Sequence, residues 1–245
     1  MKNKVYAILA GCALICSSCN DWLTQEDSTA LSGDQVYSSV ESISSVAANF
    51  YARLTINQDF NGGLMDIARW DECSQGSSYW EQAGNVDHNY RVGDYAGKYT
   101  LIREINIHIG ELKEHATGIS DEQRNYFLAE ARFLRAMVYF DLVTILGGVP
   151  IIEESFDYTE NPIELARPRN KETEVYDYIA SEMDAIVGDL AAAAAGLKTR
   201  ATQGSALALK CRAMLYAGSI AYRSQKNADK GLVLSSGAVG IPAEL

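Results

Sequence analysis

The chain of 245 residues carries 32 acidic and 21 basic side chains, which gives a formal net charge of -11. Its length suits one large domain or two small ones, and an apolar content of 47% excludes wholesale disorder. Because no basic cluster interrupts this acidic composition, we expect no nucleic-acid partner.

The first residues have the pattern of an export signal. Lys2 and Lys4 precede an apolar stretch, Val5–Ile15, that is too short to span a bilayer. Small residues then lead to Cys19, as in the signals of bacterial lipoproteins. We therefore predict that residues 1–18 are removed and that a lipid on Cys19 attaches the chain to a membrane.

The cleavage site has an alternative. Leu9–Cys12 fits the residue types of the cleavage box, but cutting there leaves a very short apolar core. An ordinary secretory signal with incidental cysteines is a further interpretation. After the signal, residues 19–33 are predicted to form a polar tether, and residues 34–245 a single helical domain that is truncated at 245.

Apolar residues recur at helical spacing in several later segments. The predicted helices are Asp34–Leu54, Tyr99–His115, Asp121–Leu146, Thr173–Ala195 and Thr202–Tyr222. From Arg223 onward the sequence is polar and rich in glycine, and no further element is predicted there.

The helix that begins at Asp121 has the clearest boundaries. Ser120 precedes it as an N-cap, and Glu122 and Glu130 are interpreted as acids near its positive end. Gly147 can take the conformation that closes a helix, and Pro150 prevents its continuation. We therefore predict that this helix forms the centre of the domain.

A long segment, residues 55–97, has no helical or strand period and carries several aromatic residues. Such a stretch inside a compact domain often carries function, and its aromatic content argues against disorder. Aromatic faces and planar polar groups are what sugar recognition requires. The candidate ligand contacts are Trp70, Tyr79 and Trp80 for stacking, and Asp71 and Asn85 for hydrogen bonding. The alternative is that these aromatic residues only fix the loop to the domain.

The sequence repeats itself at an offset of 77 positions. This shift places Ala129 on Ala206, and Arg135 on Arg212. The same shift places Ile102 on Ile179, so that a whole helix pair falls on the next one. This pattern predicts an all-α fold of stacked, tetratricopeptide-like helical hairpins with long irregular insertions.

Other clusters of polar residues have less specific patterns. Glu104, His108, Glu111 and His115 share one helix face and could bind a metal, but we interpret them as a solvated face of mixed charge. We therefore predict no metal site and no cofactor. Asp71 and Glu72 could be read as a glycosidase pair, although the sequence does not establish the separation that such a pair requires.

Two cysteines and two arginines complete the candidates. Cys211 lies among apolar residues of a predicted helix, so a buried thiol is expected, and a disulfide with Cys73 is left open. Arg132 and Arg135 could bind an anion, but on a buried helix we expect them to pair with carboxylates.

Two stretches of the central region resemble the signature of the RagB/SusD family. They are Ala129–Ala136, with the sequence AEARFLRA, followed by Tyr139-Phe140, and the turn Gly147-Gly-Val-Pro150. Cys19-Asn-Asp-Trp-Leu23 is similar to the start of the mature chain in this family. Further similar stretches are Tyr99–Asn106, Glu174–Ile179 and Arg200–Ala206.

The resemblance implies a SusD-like surface lipoprotein of Bacteroidetes without catalytic activity. Such a protein captures an oligosaccharide, or in some cases a peptide, and passes it to a SusC-like, TonB-dependent transporter in the outer membrane. It is held on the extracellular side by its lipid. Members of the family are about twice as long, so this chain is expected to correspond to the amino-terminal half. The alternatives are a helical-repeat scaffold that binds only protein, and a glycoside hydrolase.

Overall fold

The computed structural model describes residues 32–54, 95–156, 166–190, 199–227 and 232–242. In these residues all regular structure is helical, which confirms the predicted fold class. The helices are α1 (Gly33–Val36), α2 (Val40–Arg53), α3 (Tyr95–His115), α4 (Asp121–Leu146), α5 (Glu172–Ile186) and α6 (Gln203–Lys226). None of the helices in the described ranges combines the length and the apolar character that crossing a membrane requires.

The chain divides into two units, one ending at Val36 and the other beginning at Tyr37. The described part of the first unit contains only α1, a single helical turn. The five other helices belong to the second unit.

Helix α4 is the centre of the second unit, as its sequence predicts. The Ser120 hydroxyl accepts the Gln123 N–H at 3.2 Å, and the Gln123 side chain accepts the Ser120 N–H at 3.0 Å, so both partners of a capping box are in place. At the other end Gly147 has a φ of 73°, a conformation that glycine adopts without strain. Between these ends α4 contacts α2, α3, α5 and α6.

The remaining contacts organise the helices as two successive hairpins. Helix α3 packs on α4, α5 packs on α6, and α4 and α5 join the two hairpins. Several residues related by the offset of 77 are buried in both hairpins, as in the pairs Ile102 and Ile179, and Ala136 and Ala213. Alanine at the last pair leaves little side-chain bulk where helices approach each other. The repeat read from the sequence is therefore a repeat in the fold.

Several predicted helix boundaries need correction. The helix predicted over Asp34–Leu54 is interrupted after Val36, because Ser39 caps a new helix by accepting the Ser42 N–H at 3.3 Å. Helix α3 begins four residues before the predicted start, at Tyr95. Helix α5 ends at Ile186, and its predicted continuation through Ala191–Ala195 lies outside the described residues.

The sequence predicts the end of the last helix at Tyr222 and no further element after it, and the structure extends this helix and packs part of the later segment against the hairpins. Helix α6 continues to Lys226, and Ala238 and Ile241 in the later segment 232–242 are buried. The Gly148 N–H donates to the Ala238 carbonyl at 2.7 Å, and the Glu172 N–H donates to the Gly237 carbonyl at 3.0 Å. This segment therefore closes the junction between the two hairpins.

The junction also explains why Gly148 follows Gly147 in the turn after α4. A Cβ atom at Gly148 would lie 2.0 Å from the Asn170 carbonyl oxygen and 2.8 Å from the Glu172 nitrogen. Both contacts are with backbone atoms, so a side chain at this position would force the connection into α5 away from α4.

Candidate functional site

All five candidate ligand contacts fall outside the described residues. Trp70, Asp71, Tyr79, Trp80 and Asn85 belong to the undescribed range 55–94, as do Glu72 and Cys73. Cys19 and Cys12 lie outside the described residues as well. The roles assigned to these residues therefore remain predictions. The structure does describe the residues on either side of segment 55–94.

Those two boundaries are both fixed on helix α3. On one side Arg53, the last residue of α2, forms an ion pair with Glu104 in the middle of α3. On the other side Tyr95 begins α3, and its ring packs on that of Tyr99 with centroids 4.8 Å apart. At 1.5 Å per helical residue, the nine residues from Tyr95 to Glu104 span about 14 Å. The described residues that border the 40-residue segment 55–94 are therefore both attached to helix α3.

The carboxyl-terminal end of α2 is held by a buried carboxylate on α4. Glu130, with only 1% of its surface exposed, accepts hydrogen bonds from Tyr51 at 2.9 Å, Tyr126 at 3.3 Å and Arg200 Nε at 2.7 Å. A second nitrogen of Arg200 contacts its other oxygen. The Tyr51 hydroxyl also accepts the Ala201 N–H at 2.7 Å. This network joins α2, α4 and the residues preceding α6.

Glu130 was predicted to act as an acid near the helix N-terminus, and this interpretation is wrong. It lies ten positions after the cap, where it compensates the positive charge of Arg200 in the interior. Burial, and then the negative charge of Glu130, raise the pKa of the Tyr51 hydroxyl, so this hydroxyl stays protonated and donates. The sequence contains a signal for this site, because Tyr126 and Glu130 lie four positions apart on one helix face and Glu130 stands among apolar residues.

A second ionic cluster lies between the two hairpins and confirms that Arg132 and Arg135 pair with carboxylates. Arg132 binds both oxygens of Glu182, at 3.0 and 2.6 Å. Arg135, only 4% exposed, donates to Glu182 at 3.1 Å, to Glu153 at 3.1 Å and to the side-chain oxygen Oδ1 of Asn106 at 2.8 Å. Burial acts to raise the pKa of Glu182, but the hydrogen bonds and charges of the two arginines lower it on balance. Glu182 is therefore ionised at neutral pH and structural in role.

The extended chain after α4 completes this cluster. Arg135 donates to the Glu153 carbonyl at 3.2 Å, and Asn106 donates to the Ile152 and Glu154 carbonyls, both at 3.1 Å. The Tyr139 hydroxyl accepts the Ile152 N–H at 2.7 Å. The segment after the first hairpin is thus held by side chains from both helices of that hairpin.

The four residues considered as a metal-binding face do not behave as one group. His108 is buried, its Nδ1 lies 2.8 Å from the Tyr37 hydroxyl, and its ring packs edge-on against Phe50. The prediction that this whole face is solvated is therefore wrong for His108. Burial, assisted by the charge of Arg200, lowers the pKa of His108 to about 4, so its ring is neutral at pH 7.

The other members of that face pair locally. Glu104 binds Arg53, and His115 lies 3.7 Å from Glu111. Within the described ranges, no three histidine, cysteine or carboxylate side chains lie close enough together to hold a metal ion.

Cys211 also departs from expectation, because it is a free and exposed thiol rather than a buried one. It lies on a face of α6 that carries several exposed apolar side chains. The members of this set on α6 are Leu207, Met214, Leu215, Tyr216 and Tyr222. The apolar neighbours that suggested burial are present, but they leave Cys211 exposed; within this set, Tyr216 packs edge-on against Phe140 of α4 with ring centroids 5.3 Å apart.

Comparison with known proteins identifies the family. The model of the SusD-like family described as starch-binding and associating with the outer membrane matches residues 21–215. A SusD-like protein of Bacteroides ovatus is 27% identical over 202 residues, which cover 78% of this chain and 35% of that protein. The chain therefore spans about a third of the length of this curated relative.

Solved structures agree in fold. A SusD superfamily protein from Bacteroides thetaiotaomicron superposes with a TM-score of 0.60 at 17% identity, over 81% of this chain and 50% of that one. A SusD-like carbohydrate-binding protein from Bacteroides fragilis gives a TM-score of 0.60 at 18% identity, over 81% and 42%. The capped central helix and the two hairpins related by one offset are consistent with the family match over residues 21–215. The chain belongs to the SusD-like family.

Proposed function

We propose that this chain is a non-catalytic surface lipoprotein that captures an oligosaccharide and delivers it to a SusC-like, TonB-dependent transporter. The observation that supports this proposal most is the family match, since a model described as starch-binding spans residues 21–215 and therefore includes the whole aromatic insertion. The relatives are longer than this chain, so capture and delivery by the whole protein belong to the proposal.

The geometry around the insertion favours recognition rather than catalysis. The described residues on both sides of this 40-residue segment are attached to helix α3, so the segment is anchored beside the core, and segments of this kind often carry binding residues. We assign stacking on sugar rings to Trp70, Tyr79 and Trp80, and hydrogen bonding to hydroxyls to Asp71 and Asn85. The charged clusters of the described residues, at Glu130 and Glu182, are buried and hold the scaffold.

Attachment to the outer membrane is assigned to a lipid on Cys19, followed by the tether of residues 19–33. The family description supports the membrane, and the residue pattern before Cys19 supports the lipid. In cells fed a palmitate analogue, the chain should become labelled, and Cys19→Ala should abolish the label. Label that survives this substitution would assign the lipid to another cysteine, with Cys12 the first to test.

Binding is tested by calorimetric titration of the chain with malto-oligosaccharides, because starch is the ligand in the family description. Trp80→Ala should weaken binding about tenfold, since a stacked ring contributes about 1.4 kcal/mol. Trp22→Ala, in the tether, is the matched control and should bind as the unmodified chain does.

Two results would contradict the proposal. Absence of heat with starch fragments and with a wider panel of glycans and peptides would favour the protein-binding scaffold. Release of reducing ends from polysaccharide, abolished by Asp71→Asn or Glu72→Gln, would establish a glycoside hydrolase instead.

A further inference from the structure

Helix α2 has fewer buried residues than any other helix of the second unit. They are Ile43, Ala47 and Phe50, whereas α3 has eight buried residues and α4 has thirteen. Because burial of apolar surface is the main force that attaches a helix to its neighbours, we expect α2 to detach more readily than α3 or α4.

The buried ring of His108 on α3 contacts the chain of α2 near both of its ends. The Tyr37 hydroxyl, three residues before α2, lies 2.8 Å from Nδ1 of His108, and the two ring centroids are 5.4 Å apart. Phe50, in the last turn of α2, packs edge-on against the same ring with centroids 5.3 Å apart. His108 is only 2% exposed, so water does not stabilise a charge on its ring while α2 is in place.

The surroundings of His108 disfavour a positive charge. Arg200, in the segment before α6, acts on the ring electrostatically and opposes a second cation there. The nearby acids already have partners, in the pairs Glu130–Arg200, Glu104–Arg53 and Glu111–His115. The described residues therefore supply no carboxylate that contacts the ring of His108.

A proton on His108 binds more tightly when α2 is detached. Burial and the charge of Arg200 hold the pKa of His108 at about 4 in the docked state, whereas an imidazole in water has a pKa of 6.5. The pKa of the Tyr37 hydroxyl is raised to about 12 by burial and by the charge of Glu111, so this hydroxyl does not titrate in the same range. Acid therefore shifts the equilibrium of α2 towards detachment.

Detachment of α2 leaves the charged clusters of the hairpins in place. Glu130 loses the Tyr51 hydroxyl but keeps Tyr126 and Arg200. The ion pairs that Glu182 makes with α4 do not involve α2. No buried carboxylate of these two clusters therefore loses its arginine partner when α2 leaves.

We propose that α2 is a strap released by acid, in which a proton on His108 detaches α2 from the first hairpin while both hairpins stay folded. Release breaks the ion pair of Arg53 with Glu104 and so removes one of the two described attachments of segment 55–94 to α3. The attachment at Tyr95, which begins α3, remains.

Hydrogen exchange of the full 245-residue chain, read by mass spectrometry and corrected for the intrinsic pH dependence of exchange, tests the release. Between pH 7 and pH 4 the opening equilibrium constant of α2 should rise about 100-fold, as the pKa values of 6.5 and about 4 require. Since the hairpins stay folded, the most protected amides of α5 should remain at least about tenfold more protected than those of α2 at both pH values.

Two histidine variants assign the titrating group. His108→Asn should reduce the rise to less than about threefold, because asparagine does not titrate. His115→Asn, a change of the partly exposed histidine on the same helix, is the matched control and should keep the full rise. The quantity compared is the change with pH, so a variant that loosens α2 equally at every pH leaves the comparison intact.

Three outcomes would overturn the proposal. The first is an opening constant of α2 in the unmodified chain that does not rise as the pH falls. The second is a rise that persists in His108→Asn. The third is an equal opening constant for α2 and α5, which would mean that α2 opens only when the whole unit unfolds.

Discussion

Helices α4 and α6 occupy equivalent places in two copies of one hairpin, yet their surfaces differ. Tyr139 on α4 is fully buried, whereas its counterpart Tyr216 is 46% exposed. Val138 is 3% exposed, whereas Leu215, in the same position of the next hairpin, is 72% exposed. Residue type is similar in each pair, so the difference arises from neighbours. In a stack of hairpins, burial belongs to the position in the stack rather than to the side chain.

The largest expected difference in unfolding free energy is between variants of Arg135 on α4 and of Arg212, its counterpart on α6. Arg135→Ala leaves Glu182 in the interior with one arginine instead of two, and should lower the free energy of unfolding by about 3–5 kcal/mol. Arg212→Ala removes an exposed side chain and should change it by no more than about 0.5 kcal/mol. Urea unfolding of both variants measures the difference. Equal losses would mean that α6 is covered in solution by something that also engages Arg212.

The first hairpin should also dominate the pH dependence of stability. His108 is buried and neutral, and its counterpart at the offset of 77 is Ala185, which does not titrate. Because the pKa of His108 is about 4 in the folded chain and 6.5 when unfolded, the unfolded state takes up a proton first as the pH falls. Stability is therefore complete above pH 6.5, and about 3 kcal/mol of it is lost as the pH falls to 4.

Urea unfolding across this pH range tests the assignment, with His108→Asn as the comparison. The variant keeps a polar side chain beside Tyr37 and should be less stable at pH 7, but it should lose the slope between pH 6.5 and 4. A slope that persists would place the titrating group elsewhere. Glu182, whose pKa is lowered, loses its contribution as the pH falls from the usual carboxyl pKa of 4.5 towards its lower value in the folded chain, so the slope between pH 6.5 and 4.5 belongs to His108.

The helix boundaries show which features of the fold can be predicted from the sequence. Ser120 and Gly147 gave correct ends for α4 because capping is a local interaction between residues close in the chain. The interruption before Val40 was missed because apolar spacing continues across it, although Ser39 and Ser42 carry the signal of a new cap. Local chemistry thus decided the boundaries, and periodicity alone did not.

Tertiary partners were harder to predict than boundaries. Pairing of Arg132 and Arg135 with carboxylates follows from charge on an apolar helix, but the choice of Glu182, which lies 50 positions from Arg132, does not. The burial predicted for Cys211 fails because periodicity reports that a face is apolar and not whether a partner is present. The offset of 77 is the sequence feature that could have raised this question, because it identifies α6 as the last helix of the described stack.

The segment that closes the junction between the hairpins has a consequence for synthesis. The Gly148 N–H finds its partner at Ala238, ninety residues later in the chain, and the Glu172 side chain accepts the Gly240 N–H at 2.6 Å. A ribosome releases both hairpins before it releases these partners, so the turn between the hairpins stays open to solvent until Ala238 and Gly240 emerge. The Gly-Gly turn therefore becomes native only after residues that follow it by about ninety positions have emerged.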